Sequence, residues 1–257
     1  MTTTIALAGK GGTGKTTVAA LLIRALLRRT SRPILAIDAD PSTNLHLALG
    51  LPAPTTVGEI REEMLAPTQA GQLGVAISRH DYLSREIRLA LEEGERVDLL
   101  AMGRPEGQGC YCAVNHLLRQ MIDELGRSYD YVIVDNEAGM EHISRRTTRD
   151  VDVLLVVTDP TVRGLRAAET IAHMAKELEV NVRRTLLVVN RLVGDPPPPL
   201  QEAIAGLGLD VAGFIPADDR INELDSLGQP LVTLDGDSPA WRAVEALTAR
   251  LLSLPQE

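Results

Sequence analysis

The sequence predicts an α/β fold: one doubly wound, mostly parallel sheet flanked by helices, built as a single domain over residues 1–257. Three observations carry this. Short aliphatic runs alternate along the chain with longer amphipathic segments, the order expected of parallel strands joined by crossover helices. The runs are continuous rather than interleaved with polar residues, as strands covered on both faces must be. The composition is 44% hydrophobic but only 2% aromatic, so the core is made of Leu, Val, Ile and Ala.

Taken in order, the runs predict strands at 4–8, 33–38, 97–102, 129–135, 151–158, 184–190 and 211–216. In the segment 161–179, Leu165, Ala168, Ile171, Ala172, Ala175 and Leu178 recur at helical spacing, a stripe that serves core packing. "GDPPPP" (194–199) is a stiff loop between a strand and a helix. The segment 238–254 is an amphipathic helix. A membrane-binding helix wants a uniformly basic polar face, whereas this one mixes Glu245 with Arg242 and Arg250, so it is expected to dock onto the domain.

Composition narrows the function. No run approaches 18 apolar residues, and "TIALAG" is too short for a signal-peptide core, so no membrane span and a cytoplasmic location are expected. Twenty-six basic against 35 acidic residues give a net charge of −9, which disfavours nucleic acid as a partner. Arg24, Arg28, Arg29 and Arg32 fall close together and read as a solvated helix end. Only three lysines stand among the 26 basic residues, and two of them, Lys10 and Lys15, share one loop. That placement points to a need for a compact ammonium.

The loop is "GKGGTGKT", residues 9–16, a full G-x-x-x-x-G-K-[ST] match between a predicted strand and a predicted helix. Gly9, Gly11, Gly12 and Gly14 allow the tight turn that aims backbone N–H groups at phosphate oxygens. The helix opening near Lys15 adds its positive dipole end. Lys15 is placed for the β- and γ-phosphates, and the Thr16 hydroxyl for Mg²⁺. Asp38 and Asp40 stand at the end of the second strand and Asp135 at the end of the fourth, where open α/β sheets bind their ligands.

Cys110 and Cys112, in "GQGCYC", are the only cysteines. Two thiolates leave a four-coordinate site half filled. The set is completed either by His116 and water within one chain, or by the same pair from a second chain across a two-fold axis. A reversible disulfide and simple packing are the other readings; the spacing is one short of a C-x-x-C motif. His46, His80, His142 and His173 show no ligand spacing.

The run G-K-G-G-T-G-K-T-T resembles the deviant Walker A loop of the MinD/ParA/nitrogenase-iron-protein group of ATPases. The resemblance implies an ATP/ADP site with Mg²⁺ in a homodimer, formed by Gly9, Lys10, Gly11, Gly12, Thr13, Gly14, Lys15, Thr16 and Thr17. It implies that Lys10 reaches the partner's nucleotide, that Asp40 orients the attacking water, and that Asp38 lies near the Mg²⁺ shell. Asp135 is implied to hold a Mg²⁺-bound water, and the backbone at Gly139 to sense the γ-phosphate. The strand ending "VVNRLV" lacks the acid of the guanine-reading N-K-x-D motif. Asn190 and the turn Pro216-Ala217-Asp218 match the positions that read adenine in the resembling group.

The deviant loop together with "GCYCAVNHLLR", "VDNEAGMEHISRR" and "VTDPTVRGLRAAE" resembles the CooC family, nickel-handling ATPases of carbon monoxide dehydrogenase maturation. That implies a metal, Ni²⁺ or Zn²⁺, shared by Cys110 and Cys112 of both protomers, and a carbon monoxide dehydrogenase-like client. The neighbouring groups fit less well. Iron proteins use cysteines far apart in sequence, positioning ATPases use basic DNA-binding or membrane-binding surfaces, and tail-anchor chaperones use C-x-x-C.

Overall fold

A computed structural model describes residues 2–65, 79–104, 120, 122–138, 150–177 and 181–254. Strands β1 (Thr3–Ala8), β2 (Ile34–Ala39), β3 (Glu92–Glu93), β4 (Val97–Ala101), β5 (Tyr131–Asn136), β6 (Asp150–Thr158), β7 (Asn181–Leu192) and β8 (Asp210–Pro216) form one sheet. Their order is β3-β4-β2-β5-β1-β6-β7-β8. All neighbours are parallel except β3 against β4. The seven expected strands are all present, within about three residues of the expected ends. β3 was not foreseen: two glutamates at a sheet edge carry no apolar signal, and charge there is how edges are kept from pairing further.

The helices are α1 (Lys15–Leu27), α2 (Leu45–Leu49), α3 (Val57–Leu65), α4 (Arg79–Leu89), α5 (Val162–Glu177), α6 (Pro198–Gly206), α7 (Asp219–Ser226) and α8 (Pro239–Leu252). They cover both faces, because strand side chains alternate in direction. In β1, Ile5 and Leu7 enter a cluster with α1, α2 and α8, while Ala6 and Ala8 enter the opposite one with α3, α4, α5 and α6. The helical stripe of α5 buries Leu165, Ala168, Ile171, Ala172 and Ala175; Leu178 lies outside the described residues. Among the described residues no helix is long and apolar enough to cross a membrane.

The C-terminal helix docks as its pattern requires. Pro239 opens α8, and the Ser238 side chain caps it by accepting from Trp241 N. Trp241 is 1% exposed and packs with Leu21, Leu22 and Leu26 in one cluster. The arginines near the end of α1 are more than a solvated end. Arg24 lies 4.0 Å over the Trp241 ring and donates to Leu234 O. Arg28 and Arg32 are exposed but pair with Glu245 at 3.2 Å and Asp130 at 3.0 Å. A helix that must hold a neighbour uses arginine because the guanidinium stacks and donates together.

Candidate active site

The sheet order sets the site. β1 lies between β5 and β6, so the loop after β1 is walled by the ends of both strands. The chain leaves β1 at Gly9, where a Cβ would meet Val157 O at 2.2 Å; only glycine lets the loop start this close to β6. It enters α1 through Gly14, whose φ of +86 serves as the N-cap. A Cβ there would also meet Asn190 Nδ2 at 2.5 Å. Gly12 shares the positive φ, whereas Gly11 is neither twisted nor crowded. The first N–H groups of α1 have no partner within the helix and face the loop, which makes this an anion cradle.

Lys15 and Lys10 are disposed differently. Lys15 is buried, and its Nζ donates to Gly9 O at 3.3 Å and to Lys10 O at 3.4 Å. Burial lowers its pKa, opposed by the charges of Asp135, Asp40 and Glu137. Lys10 is exposed. Thr13 is buried and bonds Lys10 O through its Oγ1 at 2.9 Å, bracing the turn.

Three acids converge on the cradle. Asp135 is the next-to-last residue of β5 and lies in register with Asp38 of β2. Asp135 Oδ2 accepts from Thr16 Oγ1 at 2.6 Å, and its Oδ1 is buried with no hydrogen-bond partner among the described residues. Burial pushes the Asp135 carboxyl up to about 7, against the bond from Thr16. Asp38 is pushed up to about 6, also by burial, although it accepts from Leu45 N at 2.9 Å and Asp40 N at 3.1 Å. Asp40 is partly exposed; its Oδ1 accepts from Ser42 N at 2.8 Å, and its carbonyl from Thr43 N at 3.0 Å. A hydroxyl beside a carboxylate with one unused buried oxygen is a donor set that suits a hard divalent cation and its waters. Asn136 was not singled out from the sequence. It is buried, its Nδ2 donates to Leu7 O at 2.8 Å, and it ties β5 to β1 at the loop's origin.

The ends of β7 and β8 form the far wall. Asn190 is buried, and its Nδ2 donates to Thr13 O at 2.8 Å. Its amide nitrogen therefore serves the phosphate loop, and its carbonyl oxygen is the part left for a base. Pro216 pairs with Leu192 across the strands. Asp218 caps α7, accepting from Arg220 N at 3.0 Å and, at its other oxygen, from Ser238 Oγ at 2.5 Å. Burial opposes its ionisation, but these bonds outweigh it and hold the pKa below the usual carboxylate value. Its carboxylate braces α7 against α8, so the backbone of the turn is what it offers a ligand.

Arg191 follows Asn190 in the same run and belongs to this wall. Three steps on β7, Val189 to Leu192, match two on β8, Phe214 to Pro216, which makes a bulge. Arg191 sits in it at φ 58, and its Nη1 donates to Gly12 O at 3.0 Å. A left-handed conformation costs a non-glycine residue roughly 1–2 kcal/mol. The signal in the sequence was the polar pair Asn190-Arg191 between two core-facing residues, Val189 and Leu192, one residue too many for strand alternation.

Cys110, Cys112, His116 and Gly139 lie outside the described residues. Among the described residues no group of three or more His, Cys, Asp and Glu is arranged to hold a metal ion.

The family model for the CobQ/CobB/MinD/ParA nucleotide binding domain matches residues 4–231. An uncharacterized ATP-binding protein of Methanocaldococcus jannaschii is 42% identical over 97% of this chain and 98% of its own length. The carbon monoxide dehydrogenase accessory protein CooC of Rhodospirillum rubrum is 33% identical over 96% of this chain and 95% of its own. Among solved structures, the septum site-determining protein MinD of Pyrococcus horikoshii, complexed with Mg-ADP, has a TM-score of 0.67 at 24% identity. The superposition covers 98% of this chain and 97% of that one, a likeness of fold.

Proposed function

This chain belongs to the CobQ/CobB/MinD/ParA nucleotide-binding family of P-loop ATPases, and from that premise we propose that it is an ATP-dependent metallochaperone. ATP binding and hydrolysis in a homodimer assemble and then release a metal, nickel or zinc, held by Cys110 and Cys112 of both protomers. The recipient is a carbon monoxide dehydrogenase-like enzyme. The observation that carries the reading is the full-length likeness to CooC at 33% identity, on a chain whose only two thiols form the C-x-C pair.

The residues of the loop supply the ATPase half. Lys15 Nζ, now on the carbonyls of Gly9 and Lys10, would turn to the β- and γ-phosphate oxygens when nucleotide binds. Thr16 and the free oxygen of Asp135 would hold Mg²⁺ and one of its waters. The cation, when bound, neutralises charge developing between the β- and γ-phosphoryl groups. Asp40, partly exposed at the end of β2, orients the water that attacks the γ-phosphorus as the bond to the bridging oxygen breaks. Lys10 is the exposed cation of the loop and serves the partner's nucleotide. The adenine is read by the Asn190 carbonyl and the backbone at Pro216-Ala217.

The metallochaperone half follows from linkage. ATP can drive the assembly of a shared site only through a higher affinity for the closed dimer than for the open one. Hydrolysis removes that difference, the protomers separate, and two thiolates are left where four held the metal.

The test pairs mass with metal. Purified protein is mixed with nickel, with and without a non-hydrolysable ATP analogue, and measured by light scattering and elemental analysis, then again as Cys112→Ser. One metal per dimer, lost in Cys112→Ser, supports the shared site. One metal per monomer moves the site to Cys110, Cys112 and His116 of one chain. No bound metal in any state with ATPase activity intact sinks the metallochaperone reading. It favours an ATP-driven positioning or redox role, with the C-x-C pair used for a disulfide.

A further inference from the structure

We infer that Arg191 is a positioning residue for the phosphate loop, holding with Asn190 two consecutive loop carbonyls away from the anion. The inference needs only a loop that binds phosphate, and stands whatever the cysteine pair does. Asn190 takes Thr13 O at 2.8 Å and Arg191 takes Gly12 O at 3.0 Å. In a trans peptide the C=O and the following N–H point in opposite directions. Tying these carbonyls to β7 therefore sets the heading of the Thr13 and Gly14 N–H groups: that of Thr13 closes the turn onto Lys10 O at 3.4 Å, and that of Gly14 is left for the anion.

The bulge is what makes this possible. Along a regular strand successive side chains alternate faces, so Asn190 and Arg191 would point apart. Val189 and Leu192 both enter the cluster on one face of the sheet. The extra residue between them puts Asn190 and Arg191 together on the other, toward the loop. The course of the side chain agrees: Arg191 Nε lies 3.9 Å from where a Cβ on Gly14 would stand. Arg191 is exposed and makes no ion pair with a carboxylate among the described residues, so Gly12 O is the acceptor its side chain has there. A strained backbone beside a ligand site is the kind of feature that is kept for positioning.

The experiment compares Arg191→Ala, Arg191→Gly and Arg191→Lys with the parent, using two probes: MgADP by titration and inorganic tripolyphosphate as a competitor of ATP hydrolysis. Thermal midpoints are recorded alongside. Arg191→Ala and Arg191→Gly should weaken both probes together by about three- to tenfold, the net worth of one ordinary solvent-exposed hydrogen bond. Midpoints should stay within about 2 °C of the parent, since the side chain is exposed, and Arg191→Lys should recover part of the loss. Unchanged tripolyphosphate binding overturns the inference. So does a loss confined to MgADP, which would put Arg191 on the base. Parent-like affinity in Arg191→Gly also overturns it, because the backbone twist and not the guanidinium would then be what matters.

Discussion

Thr16 donates to Asp135 across 119 positions of sequence, 2.6 Å from hydroxyl to carboxylate, and so joins the helix that receives phosphate to the strand that carries the acid. The bond leaves one carboxylate oxygen buried without a partner. That oxygen and its neighbour Asp38 make the site sensitive to protons.

Both carboxyls are held above their ordinary value of 3.8, Asp135 at about 7 and Asp38 at about 6, by burial. Between pH 3.8 and those values the folded chain holds protons that the unfolded chain has released, so stability falls as pH rises through this window. A tenfold change in proton affinity is worth about 1.4 kcal/mol. In Mg²⁺-free buffer, urea denaturation should give a lower stability near pH 8 than near pH 5. Asp135→Asn should flatten the upper part of that slope. A stability that rises across the window contradicts the burial of these groups.

The two loop lysines should separate binding from turnover. Lys15→Ala removes a buried cation from the cradle and should weaken MgATP binding about 30-fold or more, the equivalent of about 2 kcal/mol. Lys10→Ala removes an exposed one, so affinity should change by less than about threefold. If Lys10 serves a partner's nucleotide, its loss should lower kcat about a thousandfold or more, in line with catalytic cations supplied in trans. Titration calorimetry and steady-state hydrolysis measured over a range of protein concentrations distinguish the two.

Gly14→Ala and Gly12→Ala form a matched pair. Both glycines have positive φ, but a Cβ at Gly12 meets nothing within 4 Å, while one at Gly14 meets Asn190 Nδ2 at 2.5 Å. Gly12→Ala should cost about 1–2 kcal/mol from backbone strain alone. Gly14→Ala should cost more, and should also weaken MgADP binding by displacing the Asn190 amide. Thermal unfolding and nucleotide titration of both variants check the difference.

Removal of the ring at the α1–α8 contact should be felt as stability rather than activity. Trp241→Ala should lose about 3–5 kcal/mol, as expected for a fully buried tryptophan. Arg24→Ala should lose about 0.5–2 kcal/mol, because its stacked guanidinium is only partly desolvated. Urea titrations give both values.

How legible the molecule was depends on how far apart its partners lie. β1, the loop and α1 were readable because a glycine pattern, an aliphatic run and a helical stripe stand side by side. The acids at the ends of β2 and β5 were readable as strand ends. Their register with each other was not, since the pairing of Asp38 with Asp135 spans distant segments and depends on the sheet order. Asn190 was found, but its bond to Thr13 O was not, and Asp218 was matched as part of a turn while its carboxylate braces two helices. Arg191 escaped because a bulge cancels the alternation on which strand reading rests. β3 escaped because edge strands this short have no pattern to read.

Trp241 is the only tryptophan of the chain, and the residue over its ring belongs to the helix that opens at Lys15. The chain therefore carries a single indole fluorophore, which can be excited apart from its four tyrosines and is coupled through one rigid helix to the anion cradle. Emission from indole responds to the position of a nearby cation, so a shift of α1 on nucleotide entry is observable without a label. Stopped-flow fluorescence can then time the approach of ATP in the unmodified protein, and any tag fused beyond α8 should first be checked for leaving that signal unchanged.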